Sequence, residues 1–238
     1  MAINSIIDTN NNNIDTKYWF LILFLTTVLV LPIYKVFYML DGFKLKFNNK
    51  TLIEVFIGLL ILKSGLQFIQ FLTNAGKSIN QKGWDYIWST NKDQLHIYIV
   101  QTGFEAPFLE ELFFRGFIYI LIFKAAKEVF SLLNKNLNTK KSECIINITF
   151  ILISSILFAN IHLTDSFITL LPYIYCGLIL GCMYVLTKNI LVTILIHSLN
   201  NIMVFLDFSI KETYLFILII MVFTFINQSI LSLNKKYI

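Results

Sequence analysis

Charge is scarce in this chain. Asp, Glu, Lys and Arg make up 14% of its 238 residues, against roughly 25% in an ordinary globular domain. So few charges cannot cover a soluble surface, which excludes a soluble binding module or a DNA-binding domain. Cysteine is rarer still. Cys144, Cys176 and Cys182 fall in apolar stretches, without metal-site spacing or a disulfide framework, and read as small helix-packing residues. No basic stretch followed by a small-residue cleavage site opens the chain, so the first apolar run reads as a retained span and not as a secretory signal. A Gly-x-Ser-x-Gly elbow is missing, as are a His-Glu-x-x-His zincin signature and any internal repeat of the sort that builds transporters.

What the chain has instead is apolar length. Hydrophobic residues reach 57% and mean hydropathy is +0.72. Several runs approach or exceed the ~18 residues that span a hydrocarbon core as a helix. The formal net charge of +5 sits mainly in loops, as expected opposite anionic lipid, and calls for no nucleic acid. The polar segment 1–16 reads as a disordered tail, and 17–238 as one membrane domain. Spans are expected at 18–38 (around Pro32), 52–72, 95–104, 108–123, 144–163, 167–186, 190–206 and 214–233. Segments three and four are expected to be short or broken at Pro107. Trp84 and Trp88 mark an interfacial stretch. The fold class is therefore all-α, a polytopic membrane protein with about eight transmembrane helices around an intramembrane cavity.

Lysine placement orients these spans. The 124–143 loop, the Lys188 turn and the C-terminal Lys235 and Lys236 share one side of the map. The turns near Asp165 and 207–212 share the other. The basic side is expected to be cytoplasmic, with the C-terminus inside. The N-terminal side depends on segments three and four. Two crossings put the N-terminus inside and the basic 41–50 loop outside; one broken crossing returns that loop to the inside.

Residues 105–117 read Glu-Ala-Pro-Phe-Leu-Glu-Glu-Leu-Phe-Phe-Arg-Gly-Phe. A charge at the middle of a membrane helix costs roughly 2.5–3.5 kcal/mol on insertion scales, so Glu110, Glu111 and Arg115 need a protein-lined environment. Glu111 and Arg115 are spaced i,i+4 and can pair. Glu110 is rotated about 100° away and is left free for chemistry. Alone, such a cluster could simply staple helices together. His162, in Phe158-Ala-Asn-Ile-His162, would alone read as a structural hydrogen-bonding residue. His197 and Asn201, again i,i+4, would alone read as interhelical glue. Together they set a carboxylate, two of the chain's three histidines and an amide in three apolar helices. Peptide hydrolysis needs an activated water, a proton route to the leaving amine and donors for the oxyanion. These residue types supply them.

Glu-Glu-x-x-x-Arg at 110–115, Phe-x-x-x-His at 158–162 and His-x-x-x-Asn at 197–201 resemble the signature motifs of the CAAX-protease and bacteriocin-processing family of intramembrane proteases, which includes the Ras-converting type of prenyl endopeptidase. The glycine-spaced span through Gly177 and Gly181 adds to the match, which covers about residues 100–205. The resemblance implies a multi-helix fold with a cavity inside the bilayer. In it, Glu110 and His162 would activate water, His197 and Asn201 would polarise the carbonyl and hold the oxyanion, and Glu111 and Arg115 would order the site. No cofactor is favoured; zinc held by Glu110, His162 and His197 is the alternative. The charge map puts Glu110 and His162 in the outer half of the membrane, whereas the eukaryotic prenyl proteases imply a cytosolic opening.

The function expected is endopeptidase cleavage of a membrane-associated, lipidated or peptide-precursor substrate. A Lys-, Asn- and Ile-rich composition points to an AT-rich bacterial genome and a plasma-membrane location, which favours a peptide precursor. The competing readings are a non-catalytic scaffold or bacteriocin-immunity protein of the same family, and a transporter or channel. Oligomeric state is not legible.

Overall fold

A computed structural model describes residues 45, 47–74, 76–90, 95–133, 140–206, 211–212, 214–219 and 221–222. Every regular element among them is helical. The expected tail at 1–16, the first span at 18–38 and most of the eighth at 214–233 lie outside these residues. Of the eighth, 214–219 and 221–222 are described, and Ile217 packs against Phe56, Leu59 and Met203.

Helix α1 (Asn49–Thr73) opens on a capping box, in which Asn48 Oδ1 accepts from Thr51 N at 2.9 Å and Thr51 Oγ1 accepts from Asn48 N at 3.3 Å. It closes at Asn74, a left-handed residue with φ 47°. The short α2 (Ile79–Thr90) buries no residue fully and carries Trp84 and Trp88. α4 (Lys140–Asn160) and α5 (Phe167–Thr187) are long and apolar; α6 (Ile190–Phe205) is shorter. Only Lys188, again left-handed at φ 50°, and Asn189 separate α5 from α6. α1, α4 and α5 are each long and apolar enough to cross a membrane. Their outer faces expose Ile53, Ile57, Phe68, Ile148, Leu152 and Ile156, an apolar surface that water would not tolerate but lipid does. The chain is an integral membrane protein.

Segments three and four differ from expectation. The chain does not break at Pro107; one helix, α3, runs through 95–132. It contains two π-helical stretches, Gln101–Glu105 and Leu112–Phe117. Proline lacks the N–H of the i→i−4 bond, and its ring crowds the carbonyl four residues back. The first π stretch ends where this crowding begins, with the Ala106 N–H reaching back five residues to the Gln101 carbonyl. The helix therefore widens locally and continues. π-helical turns of this kind are frequent at functional sites.

Contacts at the two ends fix the helix directions. At one end Asn189 Nδ2 donates to Thr51 Oγ1 (3.4 Å), and Lys188 Nζ donates to Tyr119 OH (2.8 Å) and Asn147 Oδ1 (3.5 Å). At the other, Asn80 N donates to the Leu163 carbonyl (2.9 Å), Lys82 pairs with Asp165 (3.7 Å), and Trp88 packs on Phe205. α1, α3, α4, α5 and α6 thus run alternately between the ends. α2 lies at the end away from Lys188.

Small residues bring the central helices together. A Cβ on Gly177 would lie 2.7 Å from Ser155 Cα, so α4 and α5 touch backbone to backbone there. On α1, a Cβ at Gly65 would collide with the Tyr175 phenol, which donates to the Ile61 carbonyl at 2.9 Å.

Candidate active site

Arg115 and Glu111 are both fully buried and form an ion pair with Nη1 2.9 Å from Oε1. The i,i+4 pairing expected from sequence is present. Arg115 Nη2 also donates to the Gly177 carbonyl at 3.0 Å, and its guanidinium lies 4.9 Å above the Phe158 ring. One arginine thereby ties α3 to α4 and α5. Its neighbour differs in exposure, since the Glu110 side chain is 24% accessible and that of Glu111 is 0%.

His197 comes from α6 to the same pair. Its Nδ1 lies 3.0 Å from Glu111 Oε1, and its Nε2 lies 3.9 Å from Glu110 Oε2. A carboxylate that already accepts from arginine can only accept again, so Nδ1 is the protonated nitrogen. Nε2 therefore faces Glu110. Glu110 Oε2 is buried and has no hydrogen-bond partner among the described residues; the same holds for Glu111 Oε2 and Asn200 Oδ1.

His162 follows the last turn of α4. Its Nδ1 is 2.8 Å from the Phe158 carbonyl oxygen. A carbonyl cannot donate, so Nδ1 carries the proton here too and Nε2 holds the lone pair. Its ring leans on Phe158 (centroids 4.9 Å apart) and stacks on Tyr173 (4.2 Å). Phe158 also meets the His197 ring at 5.5 Å. The two imidazoles therefore share one aromatic neighbour. No hydrogen bond among the described residues joins Glu110 to His162; the imidazole beside Glu110 is His197.

Asn201 differs from expectation in its engagement. Its Nδ2 donates to the Thr102 carbonyl at 3.0 Å, inside the first π stretch of α3, and its Oδ1 accepts from Asn200 Nδ2 at 3.3 Å. One of its two amide hydrogens is thus taken up, leaving the other. Buried Lys63 of α1 donates to the Asn200 carbonyl at 3.4 Å behind the same motif. Sequence reasoning singled out neither Thr102, Lys63 nor Tyr173. Lys63, a charge in an apolar span, was the one visible signal.

For metal binding, Glu110, His162 and His197 do not fit in this arrangement. No three His, Cys, Asp or Glu side chains among the described residues gather into a set that could hold an ion, whereas a catalytic zinc site needs three ligands at about 2.0–2.2 Å.

Buried carboxylates, an arginine and imidazoles converging from separate helices define an integral membrane protein that keeps a polar cluster among apolar spans. A family model described as type II CAAX prenyl endopeptidase Rce1-like matches residues 92–203, which contain all three motifs. Over those residues the chain is similar to the CAAX-protease and bacteriocin-processing family. No curated protein and no solved structure shows significant similarity to it.

Proposed function

We propose that this protein is an intramembrane endopeptidase in which Glu110 activates water against a peptide carbonyl. The observation that carries the reading is Glu110 Oε2, a buried carboxylate oxygen without a hydrogen-bond partner, 3.9 Å from His197 Nε2. That gap is too long for a direct hydrogen bond and short enough for one water to touch both atoms.

In the proposed reaction Glu110 takes a proton from the water, and the hydroxide attacks the carbonyl carbon. The His162 Nε2 lone pair holds the water's second hydrogen. Negative charge passes to the carbonyl oxygen. His197, with Nδ1 tied to Glu111, turns Nε2 toward this oxyanion as its first donor. The uncommitted N–H of Asn201 is the second donor. The tetrahedral intermediate then collapses, the C–N bond breaks, and the Glu110 proton moves to the leaving amine. The attacking oxygen gives up its remaining hydrogen to His162 Nε2, so carboxylate and amine are the products, and no step requires a metal.

The domain proposed is 17–238, with a cytoplasmic C-terminus; because segments three and four are one helix, the eight expected spans become seven. The substrate is a membrane-associated protein or peptide, lipidated or a precursor. The test uses purified protein in nanodiscs with two fluorogenic peptides, one ending in a prenylated cysteine motif and one from a hydrophobic peptide precursor. Glu110→Gln keeps the shape and lowers kcat by at least about 100-fold, while a chelator leaves wild-type cleavage unchanged. Chelator-sensitive cleavage restored by zinc overturns the metal-free mechanism. Wild-type cleavage by Glu110→Gln removes Glu110 from the mechanism. Wild-type cellular function in Glu110→Gln, with no peptide cleaved by either protein, leaves the scaffold or immunity role.

A further inference from the structure

The mechanism places His162 but does not explain what holds it. His162 lies two residues beyond the last helical residue of α4, in the turn that leads to α5. A side chain at such a place is ordinarily free to change rotamer. Here it is held on several sides, and most of the restraint comes from α2 and α5. Its Nδ1 is fixed by the Phe158 carbonyl at 2.8 Å. One face of the ring stacks on Tyr173, with centroids 4.2 Å apart and planes at 25°. The Tyr173 hydroxyl is 2.7 Å from Ser78 Oγ, and Asn80 Nδ2 donates to it at 3.5 Å. Ser78 is itself buried and accepts from Gln81 N at 3.2 Å, which caps the first turn of α2. Two residues on from Ser78, Asn80 donates its backbone N–H to the carbonyl of Leu163, directly after His162. The entrance of α2 therefore grips both the backbone beside His162 and the tyrosine that its ring stacks on.

We propose that Tyr173 is a positioning residue that fixes the ring plane of His162, and that the Ser78 cap of α2 fixes Tyr173 in turn. This rests on the endopeptidase reading only for its kinetic arm. The physical reason is orientation. An imidazole that accepts a hydrogen from the attacking water works when its lone pair points at that hydrogen, and small misplacements of a reacting group are costly in rate. The Phe158 carbonyl selects the tautomer, but a single hydrogen bond leaves the ring free to swing about it. A stacked phenol removes that freedom, and the Ser78 bond keeps the phenol from sliding away. The Trp84 and Trp88 helix is thereby coupled to an imidazole at the site.

The chain has only three histidines, so imidazole-labelled protein in nanodiscs gives a resolvable spectrum, assigned with His162→Gln and His96→Gln. Tyr173→Leu removes the stack, Tyr173→Phe keeps the stack and loses the Ser78 bond, and Tyr173→Trp restores an aromatic face. We expect Tyr173→Leu to broaden or split the His162 signals into two tautomers and to lower kcat by about 10- to 100-fold with KM unchanged. Tyr173→Phe and Ser78→Ala should each cost a few-fold in kcat, and Tyr173→Trp should recover most of the loss. A His162 spectrum unchanged in Tyr173→Leu overturns the proposal, whatever the activity. So does a Tyr173→Leu effect confined to KM, which would make Tyr173 a substrate contact. Should Tyr173→Leu fail to fold, Tyr173→Phe and Ser78→Ala decide by the same spectrum. A wild-type Glu110→Gln rate would sink the catalytic reading and leave the spectral outcome to judge the positioning.

Discussion

Glu111 and Arg115 show how a buried charge becomes tolerable in an apolar bundle. Arg115 satisfies Glu111 through one nitrogen, the Gly177 carbonyl through another, and rests its plane on Phe158. Lysine could not do all three, because a point charge lacks the planar fork. Removing one partner of a buried pair strands the other charge and typically costs about 3–5 kcal/mol. Arg115→Ala should therefore fall short in folded yield and thermal stability before any kinetic comparison is possible. Arg115→Lys should lie between it and wild type, and Glu111→Gln combined with Arg115→Gln should be less damaged than Arg115→Ala. Thermal unfolding in detergent checks the order. A fully stable Arg115→Ala protein would show that the pair does not hold the helices together. The pairing was legible in sequence because i,i+4 residues share a helix face. That His197 is the third member was not, since it joins from 86 residues away and no local rule links them. The same limit applies to the assignment of His162 as the imidazole next to Glu110: the motif names the residues, but only packing decides which pairs touch.

At the level of the helix, the apolar runs marked α1, α4, α5 and α6 to within a few residues, because lipid demands a continuous apolar helix. The error was at Pro107. Proline in a helix removes one hydrogen bond, and a reader expects a break; the π stretch at Gln101–Glu105 takes up the strain instead. The consequence reaches the candidate site, for the same stretch supplies the Thr102 carbonyl that holds Asn201. The glycines of α5 also differ in what they do, although their spacing is one motif. A methyl on Gly177 meets Ser155 Cα at 2.7 Å and Ser155 O at 3.1 Å, whereas a methyl on Gly181 meets nothing closer than 3.6 Å. Gly177→Ala should force α4 and α5 apart, cost about 1–3 kcal/mol and weaken the Arg115 anchor. Gly181→Ala should be tolerated within about 1 kcal/mol, since an ordinary van der Waals contact replaces space. Equal melting temperatures for the two variants would refute the backbone-contact account.

Across the whole bundle, the two ends differ in charge. Lys50, Lys140, Lys141 and Lys188 gather at the end where Asn189 meets Thr51. At the opposite end Lys77 and Lys82 are offset by Asp85 and Asp165. The sequence left the 41–50 loop undecided because it could not tell whether 95–132 crosses once or twice. A single continuous α3, with Thr51 beside Asn189, puts Lys50 at the same end as Lys188. The positive-inside bias then acts in one direction and predicts that the basic end faces the cytoplasm. On that prediction His162 and α2 face outward, and the proposed reaction would draw its substrate from the outer leaflet, opposite to the cytosolic opening expected from the resemblance to prenyl proteases. The orientation is measurable with a cysteine-free background carrying either Gly76→Cys or Lys141→Cys. Gly76 is exposed beside α2, and a Cβ there meets nothing within 4 Å; Lys141 is exposed in the first turn of α4. In intact cells a membrane-impermeant maleimide should label Gly76→Cys, and should label Lys141→Cys only after permeabilisation. The reverse pattern would turn the bundle over, place the site on the cytoplasmic side, and show that the lysine asymmetry does not set the orientation of this protein.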